Sequence, residues 1–344
     1  MLDLEKLEHI LKEHPPYRQR QAKEAVFRHL DSSWKEATAL PKDLREVLER
    51  ECPLVIDSAL TEAADRKTLK GAIRLADDET IETVLMRHRG DRNTVCVSTQ
   101  AGCGLACDFC LTGDRGFVRN LTAGEIAGQV VLFARYLKPA DQRVNNVVFM
   151  GMGEPFLNYD AVLAAIRILN NRDGLNIGAR KISISTVGVV EGIDRLAGGT
   201  LQVNLSLSLH APDDALRGRL MPINKTYPIG DILRATARYI DRTGRRVMIE
   251  YLLLGGVNDS PDDAQKLASL LKRHLDRLFF VNLIAYNPTG KYSPSPARAA
   301  GEFARALERD GIRATRRYRF GREIKAACGQ LAGEGKQHPG EDGA

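Results

Sequence analysis

The chain has 344 residues, 43% hydrophobic and 27% charged, with 50 basic against 44 acidic side chains, a net charge of +6 and a pI near 9.0. That length suits one large domain plus a smaller one around a sizeable core, and the mild basic excess is compatible with nucleic acid without demanding it. The opening Met1-Leu2-Asp3-Leu4-Glu5-Lys6 lacks the basic-then-apolar order of a secretory signal, no apolar run reaches membrane-spanning length, and six cysteines are too few for a disulfide framework; a cytoplasmic protein with reduced thiols and no membrane partner is expected.

Residues 1–66 read as short helices. Leu2, Leu4, Leu7, Ile10 and Leu11 follow a helical period. Tyr17 to Leu30 forms a second amphipathic segment with several cations outward, and Pro41 suits the first turn of a third helix, Lys42 to Glu51. The basic face of this module is either a solvated surface or an RNA contact. Cys52, at its end, reads as a buried structural thiol. In residues 67–91, Thr68–Leu75 and Thr80–Met86 alternate as two strands around the turn Ala76-Asp77-Asp78-Glu79, a β-hairpin linker. Glu82 stands between apolar neighbours on the second strand. An acid so placed usually faces solvent; the alternative is a carboxylate aimed into an active site.

From residue 92 to 332 strands and helices alternate. The predicted strands are Thr94–Ser98, Asn146–Met150, Lys181–Thr186, Val203–Leu209, Arg246–Leu253 and Phe279–Tyr286. Thr122-Ala123-Gly124-Glu125 is a capping box that opens the first long helix; others are predicted at Tyr159–Asn170, Asp231–Thr243, Pro261–Leu275 and Pro296–Asp310. Six β/α units imply a parallel sheet with right-handed crossovers and are too few to close an eight-stranded barrel. The predicted fold is α/β: a partial, laterally open (β/α)6 barrel behind a small N-terminal helical domain and the hairpin. Residues 333–344 are a polar, glycine-rich tail.

Ligands of parallel β/α folds lie at the carboxyl ends of strands. After the first strand come Cys103, Cys107 and Cys110, spaced C-x3-C-x2-C. Three thiolates on one loop can hold three irons of a four-iron, four-sulfur cube and leave the fourth iron open to a ligand. A structural zinc ion wants four ligands, and His88 upstream has no partner at finger spacing. An electron-carrier ferredoxin would bring a fourth thiolate. After the second strand, Met150-Gly151-Met152-Gly153-Glu154-Pro155 offers glycines that let the backbone approach a ligand and an acid that can pair with an ammonium. Ser185, then Ser208-Leu209-His210, then Asn287 mark later strand ends. Each polar residue alone is commonly a cap or turn former, but their recurrence points to one pocket.

The C-x3-C-x2-C run resembles the signature of the radical S-adenosylmethionine (radical SAM) enzymes. The wider stretch, from Cys96-Val-Ser-Thr-Gln-Ala-Gly-Cys103 through Asn120-Leu121-Thr122, resembles the RlmN/Cfr group of RNA adenosine methyltransferases. The resemblance is strong over residues 67–334 and holds only in outline before them. It implies a radical SAM barrel with a [4Fe-4S] cluster on Cys103, Cys107 and Cys110, and SAM chelating the open iron. Gly153 and Glu154 would hold the methionine amino group of SAM, and Ser185, Ser208, Leu209, His210 and Asn287 the rest of it. Ala326-Ala327-Cys328-Gly329-Gln330-Leu331 resembles the segment of a methyl-carrying cysteine, and Cys96 its partner; alone, either would read as a core thiol or a reserve cluster ligand. Ile81-Glu82-Thr83-Val84 resembles the segment with a proposed proton acceptor.

The implied mechanism uses two SAM molecules. Cys328 takes a methyl by displacement; a second SAM, cleaved at the cluster, gives the radical that removes hydrogen from that methyl; the resulting carbon adds to adenine. A base, Cys96 or Glu82, takes the ring proton, and Cys96 forms a transient disulfide with Cys328 as product leaves. The implied partners are 23S rRNA, tRNA and an electron donor such as flavodoxin or ferredoxin, with the enzyme a monomer. The implied target is C2 of an adenosine in the peptidyl transferase centre of 23S rRNA, and of the tRNA adenosine beside the anticodon. Thr112-Gly113-Asp114 is closer to the branch that methylates C8 of the same rRNA adenosine and confers antibiotic resistance; C2, the commoner activity, is preferred. The rivals are a non-methylating radical SAM enzyme, which would not need Cys96 and Cys328, and an iron–sulfur RNA-binding sensor. Met221-Pro222-Ile223-Asn224 also matches the family but suggests no role. In Arg313–Arg322, arginines can hold phosphates while Tyr318 or Phe320 stacks a base; the alternative is an edge strand protected by cations.

Overall fold

A computed structural model describes residues 1–317, 320–321 and 323–333. Its strands, in chain order, are β1 (Ser58–Glu62), β2 (Thr68–Arg74), β3 (Thr80–Arg87), β4 (Asn93–Val97), β5 (Gln100–Gly102), β6 (Phe117–Asn120), β7 (Val144–Phe149), β8 (Ile182–Thr186), β9 (Asn204–Ser208), β10 (Val247–Leu253), β11 (Phe279–Ala285) and β12 (Ala314–Arg316). Ten of them form one sheet in the order β1-β2-β3-β4-β7-β8-β9-β10-β11-β12, and β5 pairs with β6 in a separate hairpin. From β4 to β12 every neighbour is parallel. This is the partial barrel expected from the sequence, with strand limits displaced by one or two residues. Of its strands, β10 and β11 read as nearly unbroken apolar runs, as strands covered by helices do.

The helices are α1 (Leu4–Leu11), α2 (Pro16–Glu24), α3 (Lys42–Glu51), α4 (Leu111–Arg115), α5 (Ala123–Leu137), α6 (Tyr159–Asn170), α7 (Val190–Ala197), α8 (Asp214–Leu220), α9 (Ile229–Thr243), α10 (Pro261–His274) and α11 (Ala297–Arg309). In α9 the buried residues Ile229, Ile232, Leu233, Thr236, Tyr239 and Ile240 recur at helical spacing and form its core-facing stripe. The capping box that opens α5 is present: the Thr122 hydroxyl accepts from the Glu125 N–H at 3.2 Å, and the Glu125 carboxylate accepts from the Thr122 N–H at 2.9 Å. A second box, Ser260 with Asp263, opens α10.

The N-terminal helices seat on α5 where two glycines clear the way. A Cβ at Gly124 would stand 2.5 Å from the Leu2 carbonyl oxygen, and one at Gly128 would stand 2.8 Å from the Met1 sulfur. Trp34 is fully buried and donates its indole N–H to the Cys52 carbonyl at 2.7 Å; Cys52 is itself buried, as expected. Several outward cations are taken up within the module: Arg18 by Gln21 and the Ala39 carbonyl, Lys23 by Glu8.

Three departures from the sequence reading have local causes. The second amphipathic segment does not run to Leu30 as one α-helix; it widens into a π-turn at Ala25–His29 and ends on Leu30 with φ 60°. Strand β1 lies inside the stretch read as helical. It is an edge strand, exposed at nearly every residue, so it carries no alternation to read. The hairpin β2–β3 continues the main sheet, because β3 pairs antiparallel with β4 from Val84–Cys96 to Arg87–Asn93.

Candidate active site

The cluster loop leaves the sheet at the end of β4 and is shaped by the β5–β6 hairpin. Gly102 sits there at φ 75°, and a Cβ on it would fall 1.9 Å from the Gly116 carbonyl oxygen. That oxygen accepts the Cys103 N–H at 2.8 Å, so the first cysteine is set by backbone. The Asp108 N–H donates to the Leu220 carbonyl at 2.9 Å, which fastens the loop to the last turn of α8. All three cysteines line a cavity of about 160 Å³ at the carboxyl ends of the parallel strands.

The thiols suit a cluster: a four-iron cube takes its three thiolates on three different irons, and three cysteines on one cavity wall supply that donor set. Burial pushes Cys103 up to about 11 and Cys107 higher still. Such thiols stay neutral until cations arrive to replace their protons.

Glu154 enters the same cavity from the loop after β7 and is 2% exposed. One carboxylate oxygen accepts the Phe156 N–H at 3.0 Å and the other the Val187 N–H at 2.9 Å. Burial nevertheless raises it to about 7. The glycines before it also serve packing: a Cβ at Gly151 would meet Ser98 Oγ at 2.7 Å, and one at Gly153, where φ is 94°, would meet Gln100 Cβ at 2.5 Å.

Ser185, Ser208 and His210 line the cavity from β8 and β9, with the two serine hydroxyls 3.3 Å apart. His210 Nδ1 accepts the Leu252 N–H at 3.1 Å, and burial lowers the ring to about 3, so the imidazole is neutral with its proton on Nε2. Leu209 is not brought to the cavity. Its side chain is fully buried in the core, its N–H donates to the Glu250 carbonyl, and its carbonyl accepts from Arg217. Asn287 lies against an adjoining cavity of about 40 Å³ and donates from Nδ2 to the Cys328 carbonyl at 3.2 Å; its buried Oδ1 has no partner among the described residues.

Cys328 lines both cavities and Cys96 the smaller one, so strand β4 and the C-terminal segment bring two remote thiols together. All six cysteines are free thiols. Burial, followed by the charge of Cys328, pushes Cys96 up to about 12. Arg317 faces both thiols and also lines both cavities. It stands 3.5 Å from the Glu250 carboxylate and 3.3 Å from the Met150 sulfur. The expectation that the basic segment would hold phosphates therefore fails at Arg317, which points inward, while Ala314–Arg316 is the edge strand of the sheet. Phe320 packs edge-on against the His88 ring at 4.9 Å. Tyr318 lies outside the described residues.

The Cys328 segment is tied, just after the cysteine, to residues that follow Cys110 and to Glu82. The Leu111 N–H donates to the Gly329 carbonyl at 2.9 Å, and the Thr112 hydroxyl to the Leu331 carbonyl at 2.5 Å. Glu82 accepts the Ala332 N–H at 2.8 Å and pairs with Lys70 at 2.9 Å. The expectation that Glu82 faces solvent is overturned: it is 3% exposed, because Lys70 and these amides replace its water. It lines neither cavity. Arg317 and Glu250 are cavity-lining residues that sequence reasoning did not place in the pocket. Glu250 was detectable as a lone charge inside the apolar run Val247–Leu253.

The sequence matches the Radical SAM superfamily over residues 97–269. A protein of Chloroflexus aurantiacus called a probable dual-specificity RNA methyltransferase RlmN is 46% identical over 93% of this chain and 88% of its own length. One of the same name from Bacillus subtilis is 43% identical over 94% and 88%. The crystal structure of a radical SAM methyltransferase from Sphaerobacter thermophilus superposes with a TM-score of 0.91 at 46% identity, over 96% of this chain and 97% of that one.

Proposed function

Because the chain belongs to the radical SAM superfamily and, within it, to the RlmN family of RNA methyltransferases, with a [4Fe-4S] cluster and SAM as cofactors, we propose that it methylates C2 of adenosine through a methyl carried on Cys328. Its substrates in this reading are the peptidyl-transferase-centre adenosine of 23S rRNA and the tRNA adenosine beside the anticodon. The observation that carries the reading is the meeting of Cys328 and Cys96 in adjoining cavities next to the three cluster cysteines. A radical SAM enzyme that does not carry methyl groups has no use for that thiol pair. The name that the relatives carry, probable dual-specificity RNA methyltransferase, is in keeping with two RNA substrates. The residues nearest the C8 branch have structural work here: Thr112 holds the Leu331 carbonyl, and Asp114 pairs with Lys291 at 2.8 Å.

Cys103, Cys107 and Cys110 would hold the cluster, which when bound supplies the electron for homolytic cleavage of SAM. A flavodoxin or ferredoxin delivers that electron. Glu154 receives the SAM ammonium, while Ser185, Ser208 and the neutral His210 offer hydroxyl and N–H groups to its other polar atoms. Cys328 attacks a SAM methyl as a thiolate, with the Arg317 guanidinium beside it to balance the charge. Cys96 then closes on Cys328 as the methylated base leaves, and an external reductant reopens the pair. Of the two candidate bases, Cys96 lies in the cavity, whereas Glu82 is committed to Lys70 and backbone amides.

The Glu154 role has a pH signature. A carboxyl raised from 4.5 to about 7 by burial contributes stability to the unloaded chain below pH 4.5 and loses it as pH rises through 7. The loss is on the order of 3 kcal/mol. An ammonium beside the carboxylate recovers it, so SAM should raise the melting temperature more at pH 8 than at pH 6. Equal SAM shifts at both pH values would remove Glu154 from the ammonium site.

The function itself is tested by mass spectrometry of rRNA and tRNA from a host that lacks its own enzyme of this kind and expresses this one. A methyladenosine with the retention of the C2 standard is expected. The C8 nucleoside would transfer the assignment to the resistance branch, and no methyladenosine would end the proposal.

A further inference from the structure

We propose that Glu82 is a positioning residue: it anchors the strap of residues 328–333, and with it the Cys328 sulfur, rather than taking the ring proton. The proposal rests on the reading of Cys328 as the methyl carrier. Glu82 stands on β3 and is 3% exposed. One carboxylate oxygen accepts the Ala332 N–H at 2.8 Å and the Gly333 N–H at 3.3 Å; the other accepts from Lys70 Nζ, on the neighbouring strand β2, at 2.9 Å. Both oxygens are thus engaged by donors. A general base must come within hydrogen-bond reach of the proton it removes. Cys328 lines both cavities and Glu82 lines neither.

The strap is held residue by residue. Asn287 Nδ2 donates to the Cys328 carbonyl at 3.2 Å, the Leu111 N–H to the Gly329 carbonyl at 2.9 Å, and the Thr112 hydroxyl to the Leu331 carbonyl at 2.5 Å. Gln330 Nε2 donates to the Pro288 carbonyl at 3.2 Å. Arg115 Nη1 donates to the Ala332 and Gly333 carbonyls, each at 3.4 Å, and to the Thr80 carbonyl at 2.7 Å. The end of the strap therefore lies between α4 and the start of β3. Its seat admits no side chain: Gly333 has φ 61°, and a Cβ there would stand 2.5 Å from the Thr80 carbonyl oxygen.

Ordering an irregular strap costs backbone entropy, and charge-assisted hydrogen bonds offset more of that cost than neutral ones. Among the described residues Glu82 supplies the only carboxylate that the strap meets. Its own strand is fixed to the cavity loops. The Ser98 hydroxyl donates to the Glu82 carbonyl at 2.6 Å and accepts the Met152 N–H at 2.9 Å. A carboxylate four residues past Cys328 in the chain thereby ties the sulfur to the loops after β4 and β7. Small displacements of a reacting atom carry large rate penalties, which gives this anchor a direct bearing on methyl transfer to Cys328.

The two roles open to Glu82 stall the reaction at different steps. A base acts after the carbon on Cys328 has joined the adenine, so a chain without its base would hold RNA covalently. A chain without its anchor stalls earlier, at the first methyl transfer. The test uses full-length, cluster-loaded, initially unmethylated protein. It reads the rate of Cys328 methylation by intact mass, RNA-linked protein on a denaturing gel, hydrogen exchange over residues 328–333, and SAM affinity. Glu82→Gln should slow Cys328 methylation about tenfold, as loss of charged hydrogen bonds implies. It should also speed exchange in the strap, leave SAM affinity unchanged and accumulate no RNA-linked protein. Gly333→Ala disturbs the same seat without touching an ionisable group and should reproduce that pattern, which keeps the idea testable if Glu82→Gln does not fold. RNA-linked protein in Glu82→Gln, or wild-type Cys328 methylation in either variant, overturns the anchor. So does a loss of SAM affinity as large as the loss of methylation, which would mark a general loosening. Failure of the wild-type protein to methylate Cys328 would instead overturn the reading on which the proposal rests.

Discussion

Cys328→Ala is expected to reduce RNA methylation to background while leaving the fold, the cluster and SAM binding in place. The contacts that hold this segment are made by backbone: Asn287 on the Cys328 carbonyl, Leu111 on the Gly329 carbonyl, Thr112 on the Leu331 carbonyl. Removing one sulfur atom from the cavity wall breaks none of them, so stability should change by less than about 1 kcal/mol. What disappears is the nucleophile. Adenine ring carbons bound to hydrogen are electrophilic and cannot displace a methyl from SAM on their own, so no bypass is available. The measurement is methylated nucleoside per enzyme alongside a melting curve and iron content. Substantial methylation by this variant would refute the carrier role outright.

The second large effect is structural. Gly102→Val should lower iron loading severely and destabilise the chain by more than about 3 kcal/mol. Left-handed backbone costs a branched residue about 1–3 kcal/mol by itself. In addition, its Cβ would fall 1.9 Å from the Gly116 carbonyl, and that obstacle is backbone, so no side chain can turn away to relieve it. The displaced carbonyl is the one that accepts the Cys103 N–H. Gly256→Val is the control: φ there is 71°, nothing lies within 4 Å of its Cβ, and the cost should be the strain alone with iron loading intact. Equal loading in the two variants would show that the hairpin does not place the cluster loop.

The barrel was readable because strand-like segments rich in Val, Ile and Leu alternate with long helical ones, and one of those helices begins with the signal of Thr122 and Glu125. β1 was not, since an edge strand open on both faces has no alternation. The cavity residues Glu154, Ser185, Ser208 and His210 were legible as polar groups at successive strand ends. Leu209 differs in that its side chain alternates into the core, since adjacency along a strand end does not say which face a side chain takes. Glu82 was read as exposed because its shield comes from Lys70 and from Ala332, 250 residues on, which no local pattern contains. Arg317 was hidden in a basic run where one cation in several turns inward, and sequence alone does not say which.

The Cys328 sulfur lines a cavity while its own carbonyl and the residues just after it are held by hydrogen bonds. Little of the distance to an RNA can therefore be covered by the enzyme. On the proposed substrates the nucleotide would do the travelling: it would leave its stack to reach the cavity, at a cost of a few kcal/mol for lost stacking. Discrimination among RNAs would then depend as much on how loosely a given adenosine is held in its own fold as on the letters around it.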